Sequence, residues 1–160
     1  MLLRRIGVFI ATCGYVGYAP LAPGTFGSAA GLALFFAVRH RGATITAPVS
    51  ETLTIVALFA IGVWAAGEAE RHFGRTDPGA VVIDEVIGML ITLALIPVNL
   101  TGAIVGFLVF RVLDIVKPWP ARRLERLHGG FGIVLDDVMA GIYGNLVMWG
   151  LTRLLPAWLT

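Results

Sequence analysis

Long apolar segments that carry carboxylates are the feature that most constrains this chain. No charged side chain occurs from Ile6 to Val38, and later apolar segments contain acidic pairs that begin at Asp84 and Asp136. Hydrophobic residues make up 58% of the 160 residues and charged residues only 14%, with a mean hydropathy of +0.86. These values exclude a disordered chain and favour a membrane protein, and the length fits a single domain, 1–160.

Proline, glycine and capping residues divide the apolar sequence into short helices. Thr25 and Asp77 are predicted N-caps, the second because Pro78 follows it. The predicted helices are 25–38, 52–67, 78–96, 100–116 and 136–155, with a short amphipathic segment at 121–128. No strand-like alternation is present. The sequence therefore predicts an all-α, compact, membrane-embedded bundle of short helices.

The charged residues lie at the margins of the apolar segments. Eleven of the twelve cations are arginine. Their positions are typical of anchors at a membrane interface, and the clustered basic and aromatic pattern of a nucleic-acid-binding surface is missing. The single cysteine, Cys13, excludes a disulfide framework. The short apolar stretch after Arg5 lacks a cleavage site of small residues, so we treat it as part of the mature protein.

Cation bias predicts how the helices are oriented, because cytoplasmic loops are enriched in arginine and lysine. If loop 68–77 and region 111–135 are cytoplasmic, nine cations lie inside and three outside. The inner set is Arg4, Arg5, Arg71, Arg75, Arg111, Lys117, Arg122, Arg123 and Arg126, and the outer set is Arg39, Arg41 and Arg153. We therefore expect the cytoplasmic ends of several helices to meet in one layer.

Half of the ten carboxylates fall in that layer: Asp84, Glu85, Asp114, Asp136 and Asp137. Leaving each of them in lipid would cost roughly 2.5 to 3.5 kcal/mol, so they should face one another or an aqueous pocket. Carboxylates that repel one another need a cation, and hard oxygen ligands suit Mg²⁺, with Mn²⁺ as a substitute. Gly88 and Gly141 follow Asp84 and Asp137 by four residues, which allows close helix approach.

A candidate phosphate-binding loop opens the first long helix. Leu21 to Ser28 is predicted to present backbone N–H groups at a helix N-terminus, which is a suitable anion site. It lacks the lysine of a Walker A loop, so we do not predict nucleotide binding. The predicted phosphate-binding residues are Gly24, Thr25, Gly27, Ser28, Arg111 and Lys117. For the two cations, membrane-interface anchoring is the alternative interpretation.

Acidic residues within membrane helices also mark ion pathways. A small ion transporter or channel subunit is therefore the alternative function. A transporter more often places its acids near the bilayer midplane, where its helices are interrupted. Here the predicted acids gather at one cytoplasmic level beside a candidate phosphate loop, which favours phosphate chemistry.

Four sequence blocks together resemble the phosphatidylglycerophosphatase A family. They are PLAPGTFGS at 20–28, VIDEVIG at 82–88, FRVLDIVKPWP at 110–120 and GGFGIVLDDVMAG at 129–141. Their order and spacing match over nearly the whole chain. The resemblance implies a Mg²⁺-dependent enzyme of the bacterial inner membrane that converts phosphatidylglycerophosphate to phosphatidylglycerol and inorganic phosphate.

The resemblance also implies an all-helical fold in which the acidic motifs form the active site. We expect Mg²⁺ to be held by carboxylates from the five-acid layer, to neutralise the phosphate and to activate water. An acid outside the metal site would then accept the proton of that water. A covalent aspartyl-phosphate is the mechanistic alternative. Glu125 lies outside the acidic pairs, and we expect no catalytic role for it.

Overall fold

The computed structural model describes residues 1–41, 47–124 and 127–160. Within these ranges the chain is helical and contains no strand, which confirms the predicted fold class. A short 3₁₀ turn covers Val16–Tyr18. The helices are α1 (Leu2–Ala11), α2 (Pro23–Arg41), α3 (Ala47–Phe73), α4 (Ile83–Leu93), α5 (Leu100–Val116), α6 (Ala121–Leu124), α7 (Gly130–Leu154) and α8 (Pro156–Leu159).

Helix α4 is the centre of the bundle. Nine of its eleven residues are buried, and Ile87, Met89 and Leu93 are fully enclosed. The surrounding helices approach α4 at glycines, because a Cβ on Gly31 of α2 or Gly62 of α3 would meet α4 atoms within 3 Å. Interiors pack at near-crystalline density, so these glycines let the neighbouring helices lie directly against α4.

The predicted start of α4 at Pro78 is wrong. The helix begins at Ile83, and Asp77 is not its N-cap but a loop residue with a left-handed φ of 45°. The backbone N–H of Val82 donates to the carbonyl of Ala11, at 2.9 Å. The segment before Val82 forms a turn, in which the N–H of Val81 donates to the carbonyl of Pro78 at 2.8 Å. The contact between Val82 and the end of α1 is a tertiary effect that local capping signals do not contain.

Helix α4 also ends earlier than predicted, at Leu93 instead of Ile96. Leu95 has a left-handed φ of 62°, and its N–H donates to Oε2 of Glu51 at 2.9 Å. The amide of Asn145 on α7 donates to the carbonyls of Ile91 and Ala94, at 3.0 and 2.9 Å. Side chains from two other helices therefore terminate α4.

Two other helices begin before their predicted N-termini. Helix α2 starts at Pro23, so Thr25 lies inside its first turn instead of capping it. Helix α7 starts at Gly130, six residues before the predicted start at Asp136. A Cβ on Gly130 would overlap the carbonyl of Val63 on α3, so glycine at this position permits the early start.

The remaining predictions vary in accuracy. Helix α5 has the predicted bounds, and Asn99 caps it by accepting a hydrogen bond from the N–H of Gly102, at 2.9 Å. Helix α3 extends well beyond the predicted 52–67 at both ends. The amphipathic segment predicted at 121–128 is described as helix only over 121–124, and residues 125–126 lie outside the described ranges.

Among the described residues, two helices are long and apolar enough to cross a membrane, α3 with 27 residues and α7 with 25. Helix α5 adds an exposed apolar stripe with helical spacing. The stripe consists of Leu100, Ile104, Leu108, Val112 and Ile115. Exposed apolar area of this extent is uncommon on soluble monomers and is consistent with a chain that contacts lipid.

Candidate active site

Three carboxylates from two helices meet at one end of the bundle. Asp84 and Glu85 lie in the first turn of α4, and Asp137 lies in the second turn of α7. Each can place one oxygen within 4.8 Å of the other two. The side chains of Asp84 and Asp137 are buried, and Glu85 is half-buried. We refer to these three residues as the acidic cluster.

Backbone contact between α4 and α7 brings the acidic cluster together. A Cβ on Gly88 would lie 2.8 Å from the carbonyl oxygen of Asp137, and one on Gly141 would lie 2.6 Å from the carbonyl oxygen of Gly88. The two glycines therefore face each other one turn beyond Asp84 and Asp137. Close packing at this crossing sets the distance between the two carboxylates.

Each member of the acidic cluster has a buried oxygen without a hydrogen-bond partner among the described residues. These atoms are Oδ1 of Asp84, Oε2 of Glu85 and Oδ2 of Asp137. An unsatisfied buried carboxylate is costly, so the arrangement calls for a cation. Mg²⁺ binds oxygens at about 2.1 Å, which places ligands on opposite sides about 4.2 Å apart. Adjacent ligands of such an ion lie about 3.0 Å apart, so the three oxygens, which lie within 4.8 Å of one another, would move closer together to share it.

Burial and mutual repulsion change the acidity of groups around the cluster. For Asp84 and Glu85, which lie outside the two candidate spans, burial is the largest cause of a raised pKa. The charges of Glu85 and Asp137 raise the pKa of Asp84 further. Burial, with the charge of Glu85 second, raises the pKa of the Cys13 thiol to about 11. A bound cation would favour the charged carboxylates and oppose these shifts.

Arg111 lies beside the cluster on α5. Its Nη1 donates to Oδ2 of Asp114 at 2.6 Å and to Oγ of Ser28 at 3.3 Å. A Cβ on Gly24 would overlap Oε1 of Glu85 and lie 3.2 Å from the same Nη1. The start of α2 therefore lies directly between a carboxylate of the cluster and a guanidinium.

A second ion pair joins α7 to the end of α5. Nζ of Lys117 donates to Oδ2 of Asp136 at 2.7 Å, while Oδ1 of Asp136 is buried without a hydrogen bond to any described residue. Lys117 caps α5 in a left-handed conformation, with φ 47° and ψ 67°. Such a conformation is unfavourable for a side chain with a Cβ, and strain of this kind is frequent at functional sites.

The structure separates the predicted site residues into distinct groups. Asp84, Glu85 and Asp137 form the cluster, whereas Asp114 and Asp136 are each paired with a cation. The predicted phosphate-binding residues also differ in their contacts with the cluster. Gly24, Ser28 and Arg111 adjoin the cluster, and Gly27 faces both Val82 and the side chain of Glu85. Lys117 contacts Asp136, and Thr25 lies half-buried in the first turn of α2.

Asp77 lies near the site, and the sequence analysis did not include it among the site residues. Asp77 was predicted only as a helix cap, yet its charge lies close enough to contribute to the raised pKa of Asp84. No sequence signal linked Asp77 to the acidic pairs, because the loop that carries it is placed by the contact between Val82 and Ala11. Glu125 lies outside the described residues.

Comparison with known proteins identifies the family. The family model for phosphatidylglycerophosphatase A matches residues 9–152. The chain belongs to the phosphatidylglycerophosphatase A family. The match includes all four sequence blocks that carried the resemblance, and hence every residue of the acidic cluster. No solved structure gives a significant match to this family member.

Curated relatives cover most of this family member's length. A phosphatidylglycerophosphatase A from Escherichia coli K12 is 38% identical over 135 residues, covering 83% of this chain and 76% of the relative. The Haemophilus influenzae phosphatidylglycerophosphatase A is 37% identical over 134 residues, covering 81% and 78%. A Bacteroides thetaiotaomicron protein described as a candidate phosphatidylinositol-3-phosphatase is 38% identical over 149 residues, covering 88% and 90%.

Proposed function

We propose that this chain is a Mg²⁺-dependent phosphatase that hydrolyses phosphatidylglycerophosphate to phosphatidylglycerol and inorganic phosphate. The observation that carries the proposal is the acidic cluster beside Arg111, which combines unpaired oxygen ligands with a phosphate-binding cation. Membership of the phosphatidylglycerophosphatase A family and the names of two relatives support this substrate. The reaction is the hydrolysis of a phosphoric monoester.

The residues that would hold Mg²⁺ are Asp84, Glu85 and Asp137, with Mn²⁺ as a possible substitute. A bound divalent cation would supply Lewis-acid chemistry and neutralise part of the phosphate charge. Arg111 would bind a phosphate oxygen, because a guanidinium matches the geometry of phosphate and remains charged at any physiological pH. Glycine at position 24 lets the carboxylate of Glu85 lie against the start of α2, next to the guanidinium that would bind the phosphate.

Two carboxylates outside the acidic cluster could accept the proton of the attacking water. Asp114 is bound to Arg111 and Asp136 to Lys117. We favour Asp114, because its side chain adjoins Asp137 of the cluster. When Arg111 binds phosphate, its ion pair with Asp114 weakens, and the Asp114 carboxylate is free to accept the proton of the water.

A covalent aspartyl-phosphate is the alternative mechanism. Acid quenching during turnover of a ³²P-labelled substrate distinguishes the two mechanisms. Direct attack by water leaves no label on the protein. Hydroxylamine-sensitive label on the protein would instead establish a phosphoenzyme and displace the general-base role of Asp114.

Phosphate release by the purified chain in detergent tests the proposed function. We expect release from phosphatidylglycerophosphate with Mg²⁺ and none with excess EDTA. Asp84→Asn and Asp137→Asn should each lower kcat by at least about a hundredfold, because an amide is a weak ligand for Mg²⁺. Glu70→Gln, a change to a carboxylate on α3 outside the cluster, is the matched control and should retain full activity.

The same assay separates competing functions. Phosphatidylinositol 3-phosphate is the second substrate to test, because a relative of 38% identity is described by that activity. Preferential hydrolysis of this lipid would replace phosphatidylglycerophosphate as the proposed substrate. No phosphate release from either lipid, with or without Mg²⁺, would refute the enzyme proposal and favour the ion transporter.

We also assign the protein to the bacterial inner membrane, with the acidic cluster at the cytoplasmic face. The nine-to-three bias of cations supports this orientation. The test places single cysteines in a Cys13→Ser background, at exposed Thr76 in the loop after α3 or at exposed Thr160. In intact spheroplasts a membrane-impermeant maleimide should label the cysteine at 160 and leave that at 76 unlabelled. Labelling at position 76 but not at position 160 would show that the orientation is the opposite of the one proposed.

A further inference from the structure

A second cavity lies outside the acidic cluster, where α1, the 3₁₀ turn and the C-terminal end of α3 meet. Its volume is about 360 Å³. It is lined by Arg5, Val8, Phe9, Tyr15, Tyr18 and His72. None of these residues belongs to the candidate active site, so the function proposed above leaves the cavity without a role.

Contacts within the turn define the walls of this cavity. Arg5, Val8 and Phe9 lie on one face of α1, because their spacing is three and four residues. The ring of Tyr15 packs edge-on against Phe9 with centroids 5.3 Å apart, and the ring of Tyr18 lies 5.9 Å from that of Tyr15. Tyr15 has a left-handed φ of 75°. The cavity is therefore formed by packed rings instead of a single loose side chain.

The polar groups around the cavity are suited to an anion. Arg5 supplies a positive charge and several N–H donors, and the phenol groups of Tyr15 and Tyr18 and the imidazole of His72 can donate hydrogen bonds. No carboxylate lines the cavity in the part of the chain that the structure describes. Among the same residues Arg5 forms no side-chain ion pair, so its charge is available to a ligand.

The mouth of the cavity adjoins an apolar surface. Leu2, Leu3, Ile6 and Phe9 are exposed and lie together on the outward face of α1. Phe9 belongs to both this face and the cavity wall. A ligand that uses both surfaces must join an anionic group to an apolar chain, which is the chemistry of a membrane phospholipid.

We infer that this cavity binds the headgroup phosphate of an anionic phospholipid, at a site separate from the acidic cluster. Arg5 contacts the phosphate, His72 and the tyrosine hydroxyls donate further hydrogen bonds, and the acyl chains lie along the exposed face of α1. The inference does not depend on the proposed phosphatase activity, because none of these residues belongs to the candidate active site and the phosphodiester of the lipid is not the bond that the reaction breaks.

Calorimetric titration of the detergent-purified chain with dihexanoyl phosphatidylserine, an anionic phospholipid that is neither substrate nor product of the proposed reaction, tests the inference. We expect Arg5→Gln to weaken binding at least tenfold, and Arg5→Lys to recover part of the affinity because it restores the charge. Tyr18→Ala, which removes one wall, should also weaken binding. Arg71→Gln is the matched control, since Arg71 is an exposed arginine at the same end of α3 that pairs with Glu68 and does not line the cavity.

Two outcomes would overturn the inference. If Arg5→Gln and Tyr18→Ala both bind the lipid within twofold of the unmodified chain, the cavity is not the binding site. If inorganic phosphate binds as tightly as the lipid, and if Arg5→Gln weakens the binding of both equally, the site binds free phosphate and not a lipid. Circular dichroism of each variant verifies that the helices are intact.

Discussion

Replacing Gly88 with alanine should disturb the candidate site without touching a charged residue. Gly88 lies four residues after Asp84, where α4 crosses α7. A Cβ there would lie 2.5 Å from the ring of Phe110 and 2.8 Å from the carbonyl oxygen of Asp137. Neither a ring enclosed in the core nor a helix backbone can move away independently. The methyl group must therefore push α4 and α7 apart.

The size of the effect follows from these distances. The contact with the Asp137 carbonyl is about 0.6 Å shorter than an ordinary contact of 3.4 Å. Overpacking of this kind costs roughly 1 to 3 kcal/mol of stability. A separation of about half an ångström between Asp84 and Asp137 also disturbs a site for Mg²⁺, which requires near-octahedral geometry. Since misplacement by 1 Å can cost about a hundredfold in rate, we expect a loss of roughly tenfold or more.

Gly150→Ala is the matched control, because Gly150 lies in α7 and a Cβ there meets no atom within 4 Å. Alanine should stabilise that helix by roughly 0.5 to 1 kcal/mol. The assay combines thermal unfolding in detergent with the Mg²⁺ concentration for half-maximal phosphate release. Gly88→Ala should unfold at a lower temperature and need more Mg²⁺. If Gly88→Ala and Gly150→Ala behave alike in both measurements, close approach of α4 and α7 does not set the geometry of the cluster.

Three further predictions test other contacts. The Cys13 thiol, with a pKa of about 11, should react with iodoacetamide at pH 8 roughly several hundredfold more slowly than an exposed cysteine. Glu85→Gln should accelerate the reaction, because it removes a nearby negative charge. Equal rates for Cys13 with and without Glu85→Gln would contradict the proximity of the two residues. Glu51→Ala should lower stability by roughly 3 kcal/mol in thermal unfolding, because it removes the carboxylate that lies 3.0 Å from Nε of Arg39 and that accepts the N–H of Leu95; an unchanged midpoint would exclude a stabilising role for these contacts. Gly24→Ala should reduce phosphate release at least tenfold with the fold intact, since a Cβ there would overlap Oε1 of Glu85 and displace this carboxylate; full activity would show that the position of Glu85 against α2 is not required.

Local sequence signals predicted the helices well where the chain itself determines their ends. Helix α5 has its predicted bounds, because Asn99 caps its start and Pro118 follows its end. Both ends of helix α4 were predicted incorrectly. Its start depends on a hydrogen bond with Ala11 and its end on the side chains of Glu51 and Asn145. Such partners are distant in sequence and have no local signal.

The candidate site was predicted as a set of residues but not as an arrangement. The cost of burying carboxylates implied that the acids would gather, and the glycines four residues after Asp84 and Asp137 indicated close helix approach. The sequence did not distinguish the acids of the cluster from Asp114 and Asp136. Asp114 pairs with Arg111 three residues earlier on the same helix, which is a local contact. The pairing of Asp136 with Lys117 instead depends on the packing of α7 against the end of α5.

The division of the five acids has a consequence for the proposed chemistry. Asp114 and Asp136 are paired with a cation, at 2.6 Å from Arg111 and 2.7 Å from Lys117. The other three have no such ion pair among the described residues, and each has a buried oxygen without a hydrogen bond to a described residue, as Asp136 also has. A phosphate monoester brings further negative charge, so it could not approach the three bare carboxylates without a cation between them. The two basic residues also cannot bind phosphate without loosening Asp114 and Asp136. In the proposed reaction, substrate binding therefore frees a carboxylate beside the cluster at the moment when a proton acceptor is required.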